Sequence, residues 1–167
     1  PEAAPNETPA EGGFKLPQQL LPDPLRAADI NQIDIQDIIL DASVLGVARR
    51  LSLHGNIDAR NAPLTMEGDL RLMSADRDVP IMQADWSIAP QADGFGLNLR
   101  IDESGNGFFA DLIDIPGRPA FEAEIATRGP LSALAADLKV ALDGRETAVG
   151  QLLLNLEGED QRLEADL

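Results

Sequence analysis

One stretch of the sequence has the side chains of a calcium-binding loop. The stretch DESGNGFFADLI, which starts at Asp102, has Asp, Ser, Asn and Gly at the first, third, fifth and sixth positions of an EF-hand loop. The twelfth position, which supplies a bidentate glutamate in such loops, is Ile113 here. The preceding residues alternate like a strand, whereas an EF-hand loop follows a helix. We therefore predict no metal site and interpret the stretch as a turn that ends a strand and caps a short helix.

Catalytic chemistry has little support in the sequence. His54 is the only histidine of the chain, so any Ser-His-Asp arrangement would depend on it. It lies beside Gly55 in a segment that alternates like a strand, which favours an ordinary position on a polar face. No phosphate-binding loop or dinucleotide fingerprint is present. We predict that the protein is not an enzyme, with no catalytic residues and no cofactor.

Charge and composition narrow the possible partners. The 167-residue chain has a formal net charge of −16 at pH 7, which repels nucleic-acid phosphates, and its basic residues are scattered. We therefore predict no nucleic-acid partner, and long-range attraction to anionic membrane surfaces is equally unfavourable. The sequence has no Cys and no Tyr and few Phe and Trp, so we expect no disulfide framework and a core of Leu, Ile, Val and Ala.

The N-terminal residues differ from the rest in composition. Residues 1–28 are rich in Pro, Glu and Ala, and a proline every few residues prevents regular helix or sheet hydrogen bonding. We predict a linker or flexible lead-in over residues 1–28 and a β-rich segment over residues 29–167. The apolar residues expected to hold the linker loosely against the domain are Phe14, Leu16, Leu20 and Leu21. Because the chain starts at Pro1 and not at Met, we expect it to be a piece of a longer protein.

From Ile30 onward, apolar and polar residues alternate with a period of two, which is typical of strands with one apolar face. Short connections rich in Gly, Pro, Asn and Asp separate the strands, which favours antiparallel neighbours. The doubled Ile38-Ile39 indicates a bulge or a flip of facing, and Gly55 indicates a local irregularity. The segment LSALAADL, at 131–138, fits either a helix or the start of a strand.

We predict an all-β fold, a curved and mainly antiparallel meander that forms an open half-pipe (β-taco) with a hydrophobic concave face and one short helical turn. The alternative is a closed β-sandwich, in which the apolar faces bury each other. In the open form, the apolar face lines a groove that an acyl chain can fill. The groove candidates are Leu51, Leu53, Leu70, Leu72, Trp86, Ile88, Leu97, Leu99, Phe121, Ile125, Leu138, Val140, Leu152 and Leu154.

An apolar turn interrupts the strands between Ile101 and Ile125. Its apolar residues have helical spacing, follow Gly107 and end before Pro116. Either the turn packs on the rim or end of the half-pipe and shapes access to the groove, or it only covers one open end of a hydrophobic core. The residues of this apolar turn are Phe108, Phe109, Leu112 and Ile113.

The order of segments after residue 95 has a characteristic pattern. A strand ending in LNLRIDESG is followed by the apolar turn FFADLIDIPGRPA, the strand FEAEIATRGPLSALAADLKVALDG and a further strand QLLLNLEG. With these segments, residues 30–167 resemble the TamB family of translocation and assembly module proteins, within the wider AsmA-like group. In that family an apolar turn, a segment like IPGRPA, a strand, a segment like RGPL, another strand and DG recur along the interior of the chain.

The resemblance implies a segment of a periplasm-spanning, bridge-like protein that is anchored in the bacterial inner membrane. Such proteins act in outer-membrane biogenesis with an Omp85-type outer-membrane barrel (TamA-like), which the full-length protein contacts. Their hydrophobic groove binds phospholipid acyl chains and carries phospholipids between the inner and outer membranes. The alternative function is a β-rich interaction module that assists outer-membrane protein assembly or secretion by pairing its sheet edges with a client β-strand.

Overall fold

The computed structural model of the chain describes residues 27–92, 94–130, 133–155 and 162–166. The predicted linker, with Phe14, Leu16, Leu20 and Leu21, lies outside the described residues except for its last two positions. Those two positions belong to the first strand, which begins at Ala27. The β-rich segment therefore starts two residues earlier than the predicted boundary at residue 29.

Nine strands form one sheet in which every strand lies beside its neighbours in sequence. All the pairings are antiparallel. The predicted meander is therefore confirmed. The strands are β1 (Ala27–Leu40), β2 (Arg49–Asn61), β3 (Leu64–Ser74), β4 (Met82–Ala89), β5 (Gly94–Glu103), β6 (Phe121–Arg128), β7 (Leu134–Leu142), β8 (Arg145–Asn155) and β9 (Arg162–Asp166).

The sheet is curved and open, as predicted, with β1 and β9 at its two edges. The alternative of a closed sandwich is wrong for the described residues, because all of their strands belong to a single sheet. Alternating residues of a strand point to opposite faces, so this single sheet has one apolar and one polar side. We call the apolar side the groove face and the polar side the outer face.

Strand β1 keeps four of its five isoleucines on the groove face by means of two register shifts, and the fifth, Ile39, lies opposite Arg50 on the outer face. The shifts lie between Ile30 and Ile33 and between Ile35 and Ile38. Each of these pairs is three residues apart, so a regular strand would turn one member to the outer face. One extra residue of β1 at each shift returns the second isoleucine of the pair to the groove face. The predicted bulge is therefore present just before Ile38. The irregularity expected at Gly55 is present on its β1 side, where the first register shift ends at the pair of Ile33 and Gly55, whereas on its other side Gly55 pairs regularly with Leu70.

Gly55 also has a second structural role, on the side of β3. A Cβ atom at this position would lie 2.1 Å from the backbone oxygen of Asp69 on β3. Only glycine allows β2 and β3 to approach this closely here.

The described residues form two short α-helices, whereas one helical turn was predicted. The first, α1 (Ala42–Leu45), joins β1 to β2, and the Asp41 side chain caps it by accepting a hydrogen bond of 2.9 Å from the Ser43 backbone nitrogen. The second, α2 (Phe108–Leu112), is the predicted apolar turn. A 3-10 turn at Pro90–Ala92 joins β4 to β5. The segment after Pro130 forms strand β7 from Leu134 onward, which excludes its helical interpretation in the described residues.

Candidate functional site

The strand register places all the predicted groove candidates on the groove face. Opposite partners on neighbouring strands share a face, and the partner series Leu53, Leu72 and Met82 crosses from β2 to β4. The series Leu99, Ile125 and Leu138 crosses from β5 to β7. The backbone register also places Leu154 on the groove face, because its register partners are Leu134 on β7 and Leu163 on β9.

Most of the groove candidates are only partly buried. In a sealed core, large apolar side chains along the middle of the strands would be fully enclosed. In the described part of the chain, the large apolar side chains that reach full burial are Leu51, Leu64, Ile81, Phe121 and Leu134. Among the groove candidates with described side chains, Leu51 and Phe121 are buried, and the others retain partial exposure. Most of the large side chains along the groove face therefore keep some contact with solvent, whereas the smaller Ala123, Thr127 and Ala136 on β6 and β7 are buried.

Trp86 lies flat against the floor of this face. Its register partner on β3 is Gly68, and a Cβ atom at Gly68 would come within 2.6 Å of the indole ring. The missing side chain makes room for the ring, so the largest groove residue does not project across the groove. The indole nitrogen of Trp86 has no hydrogen-bond partner in the described part of the chain.

Helix α2 folds over one rim of the groove face. The rings of Phe108 and Phe109 pack edge to face with centroids 5.0 Å apart, and Ala110 is fully buried. Leu112 and Ile113, in contrast, are 52% and 56% exposed. The turn therefore encloses Ala110, partly buries the two rings and presents Leu112 and Ile113 to solvent.

Glu103, the last residue of β5, holds α2 in place. It lies on the groove face opposite Phe121 and is 3% exposed. Its carboxylate accepts hydrogen bonds from the backbone nitrogens of Phe109 (3.0 Å) and Ala110 (2.7 Å). These are N–H groups at the start of a helix, which have no partner within the helix itself. The packing is tight, because a Cβ atom at Gly107 would lie 2.2 Å from the Glu103 carboxyl carbon.

A buried ion network fixes α2 to the opposite part of the sheet. The Asp111 side chain, with no exposed surface, contacts Arg49 at the start of β2 and lies 2.9 Å from Nε of Arg118. Arg49 Nη2 also donates hydrogen bonds to the backbone oxygens of Asn106 and Gly107. Strands β2 and β5 are separated by β3 and β4, about 14 Å at three strand spacings. The loop carrying α2 therefore bridges the rim above these two strands.

The polar members of this rim were not predicted as site residues. A weak signal was present, because Arg49 precedes Leu51 by two residues and Glu103 follows Ile101 by two. Both residues thus continue the groove-face alternation with a charged side chain in place of an apolar one. Asp111, the partner of Arg49, had no such signal, since only the folded loop brings these two residues together.

Replacing Glu103 by alanine is expected to destabilise the protein by about 1–3 kcal/mol for each N–H group that loses its acceptor. Glu103→Gln, which keeps one carbonyl oxygen, should lose about half as much. The measurement is urea unfolding of both variants. Glu124→Ala on the outer face, where the side chain is 53% exposed, is the matched control and should change the unfolding free energy by less than about 1 kcal/mol. An equal loss in Glu103→Ala and Glu124→Ala would contradict the capping role.

The outer face is charged and exposed. His54 contacts Asp34 at 3.2 Å and Ser52 at 3.1 Å, and it is half-exposed. The Arg60 hydrogen bond lowers the pKa of the Asp58 carboxyl, and the same contact raises the pKa of Arg60. Within the described residues, no cluster of three or more His, Asp or Glu side chains is arranged to hold a metal ion. Neither of the two described helices has the length and hydropathy needed to cross a membrane.

Comparisons of the chain with protein-family models, with curated proteins and with solved structures find no match. The family resemblance of residues 30–167 therefore stays a prediction. The candidate site is defined by its geometry: an open apolar face, closed over part of one rim by α2.

Proposed function

We propose that the chain is a segment of a bridge-like protein of outer-membrane biogenesis, in which the groove face binds phospholipid acyl chains during transport between membranes. One observation carries the proposal: a continuous apolar face crosses the whole sheet and is left partly exposed along its middle. Soluble proteins rarely leave large contiguous apolar surfaces uncovered unless these bind something.

The dimensions of the face suit an acyl chain. Nine strands spaced by about 4.8 Å give a groove roughly 38 Å long across the sheet. Burying an acyl chain of roughly 16 carbons is favourable by on the order of 12 kcal/mol, at about 0.8 kcal/mol per CH₂ group. A lipid therefore stays in the groove only where apolar contact is continuous, and the backbone register aligns the groove-face positions of neighbouring strands from β1 to β9.

The family proposal follows from the same features. We propose membership of the TamB family in the AsmA-like group, a periplasmic location within a protein anchored in the inner membrane, and action with a TamA-like Omp85 barrel. The proposal is supported by the segment pattern in residues 95–156 and by agreement between the fold expected from the resemblance and the observed open, one-sided sheet.

The second candidate function uses the sheet edge instead of the groove. Strand β1 is 14 residues long and forms one edge of the sheet, so its outer hydrogen-bonding groups can pair with a client strand. Its two register shifts and the acidic residues Asp29, Asp34 and Asp37 oppose such pairing, because bulges and edge charges protect a sheet against added strands. We therefore favour the lipid function.

Native mass spectrometry of the chain after purification in mild detergent separates these functions. We expect phospholipid to remain bound after the detergent is removed in the gas phase, and to rebind to stripped protein. Protein that stays lipid-free and captures extended peptides would support the strand-pairing function instead. Protein that binds neither would contradict both proposals.

A further inference from the structure

We infer that a small polar cavity at the rim of the groove binds the phosphate group of a phospholipid whose acyl chains lie on the groove face. The inference rests on the proposed function and adds a headgroup site to it. The cavity has a volume of about 140 Å³ and lies beneath the loop that leads into α2. The side chains that carry the inference are Arg49, Ser74, Arg77 and Ser104, all in its lining.

The cavity adjoins the groove face directly. Ser74, in its wall, is the register partner of Leu51 on that face. Ile81, also in its wall, is an apolar residue that is only 2% exposed. A phosphate in the cavity therefore places the attached acyl chains at the edge of the groove.

Arg49 supplies a buried donor that lacks an acceptor. Its Nη2 atom donates to the Asp111 carboxylate and to the backbone oxygen of Gly107 at 3.3 Å. Its Nε atom is buried and has no hydrogen-bond partner among the described residues. Leaving a buried charged donor unpaired is costly. An oxygen atom of a ligand in the adjoining cavity would satisfy it.

Arg77 provides the second cation of the cavity. Its Nη1 atom donates to the backbone oxygen of Asp102 at 2.6 Å, its Nη2 atom lies 3.4 Å from the Asp102 carboxylate, and its side chain is 26% exposed. The guanidinium is thus anchored at the rim and still reachable from solvent. Two guanidinium groups with two serine hydroxyls form a donor set suited to phosphate oxygens.

Two carboxylates also line the cavity, and they define which lipid fits. Both oxygens of Glu103 are engaged by the backbone N–H groups of α2, so Asp76 is the acidic side chain left facing a ligand. The net charge of −16 also opposes the approach of anions from a distance. We therefore infer a preference for zwitterionic phospholipids, whose ammonium group can lie near Asp76, over lipids with a net negative charge.

The test compares ligands that share acyl chains and differ in the phosphate. Binding of short-chain phosphatidylcholine, phosphatidylglycerol and the matching diacylglycerol to the whole chain is measured by native mass spectrometry below the micelle concentration. Inorganic phosphate and glycerol phosphate serve as probes without acyl chains. We expect phosphatidylcholine to bind about tenfold tighter than diacylglycerol, as one charge-assisted contact of this kind provides.

Substitutions in the cavity test whether it causes the difference in affinity between phosphatidylcholine and diacylglycerol. Arg77→Gln should weaken phosphatidylcholine binding about tenfold, to the level of diacylglycerol, and Arg77→Lys should restore part of it. Ser74→Ala, which removes a hydroxyl and leaves the loop contacts of Arg77 intact, should weaken binding about threefold. Arg128→Gln removes the same charge from the outer face, where Arg128 pairs with Asp137 at 2.8 Å, and should leave the phosphatidylcholine preference unchanged.

Each alternative result has a separate meaning. Equal affinity of the parent protein for phosphatidylcholine and diacylglycerol would overturn the headgroup site and leave the groove standing. Binding of inorganic phosphate through Arg77, without any preference among the lipids, would identify a free-phosphate site and overturn the lipid assignment. Failure of every lipid to bind would overturn the proposed function itself.

Discussion

Asp111→Ala is expected to destabilise the protein by about 3–5 kcal/mol, because it leaves the buried Arg49 guanidinium without its carboxylate partner. Asp111 has no exposed side-chain surface and contacts both Arg49 and Arg118. Its loss releases α2 from the far side of the rim and exposes the apolar residues beneath it. Urea unfolding gives the change in free energy, and binding of a hydrophobic dye reports the uncovered surface.

The matched control for Asp111→Ala is Asp137→Ala on the outer face. Asp137 also pairs with an arginine, Arg128, at 2.8 Å, but its side chain is 45% exposed. Such an exposed pair contributes less than about 1 kcal/mol. If the two alanine variants lose the same stability, or if dye binding is unchanged in Asp111→Ala, the rim network does not hold α2 in place.

Leu99→Asp is expected to remove most lipid binding while the protein stays folded. Leu99 lies in the middle of the groove face and is only partly buried, so a carboxylate there can remain hydrated. The stability lost should be about 1–2 kcal/mol, less than the full burial of a leucine provides. The charge would, however, lie in the path of the acyl chain, where burying it without a partner is prohibitive. Thermal melting and native mass spectrometry on the same sample measure both effects.

The contrasting variant is Leu134→Asp, which introduces the same change at a sealed position of the same face. Leu134 is 2% exposed, so its replacement combines lost packing with an unpaired buried carboxylate and should cost about 4 kcal/mol or more. That is a large part of the total unfolding free energy of a typical domain, which is about 5–15 kcal/mol. Similar unfolding by both variants would mean that the middle of the groove face is a closed core.

Much of the fold could be predicted because it depends on a local rule. Alternation with a period of two assigns each residue to a face, and the short polar connections indicate antiparallel neighbours. The turn at Asp143 and Gly144, both with positive φ, is an example, since the pair DG specifies a tight hairpin between β7 and β8. The same alternation fits both an open sheet and a sandwich, so the choice between them depended on tertiary structure and on the family resemblance.

The rim could not be predicted in the same way. Asp111 and Arg49 are 62 residues apart, and nothing in either local sequence indicates their pairing. Helix α1 was also missed, because its four residues are too few to show a periodic pattern. Its signals are the cap at Asp41 and the glycine at position 46, whose φ is 77°. Both signals also occur in ordinary turns.

The most direct test of the account is to place a photoreactive phenylalanine analogue at single positions and to identify the molecules that it crosslinks in protein isolated from bacterial membranes. Leu99 and Ile125 are register partners on the groove face, whereas their neighbours Asn98 and Glu124 are exposed on the outer face. We expect phospholipid adducts from positions 99 and 125 and none from positions 98 and 124. Equal yields from the two faces, or no lipid adduct at any of the four positions in folded protein, would contradict a lipid-binding groove.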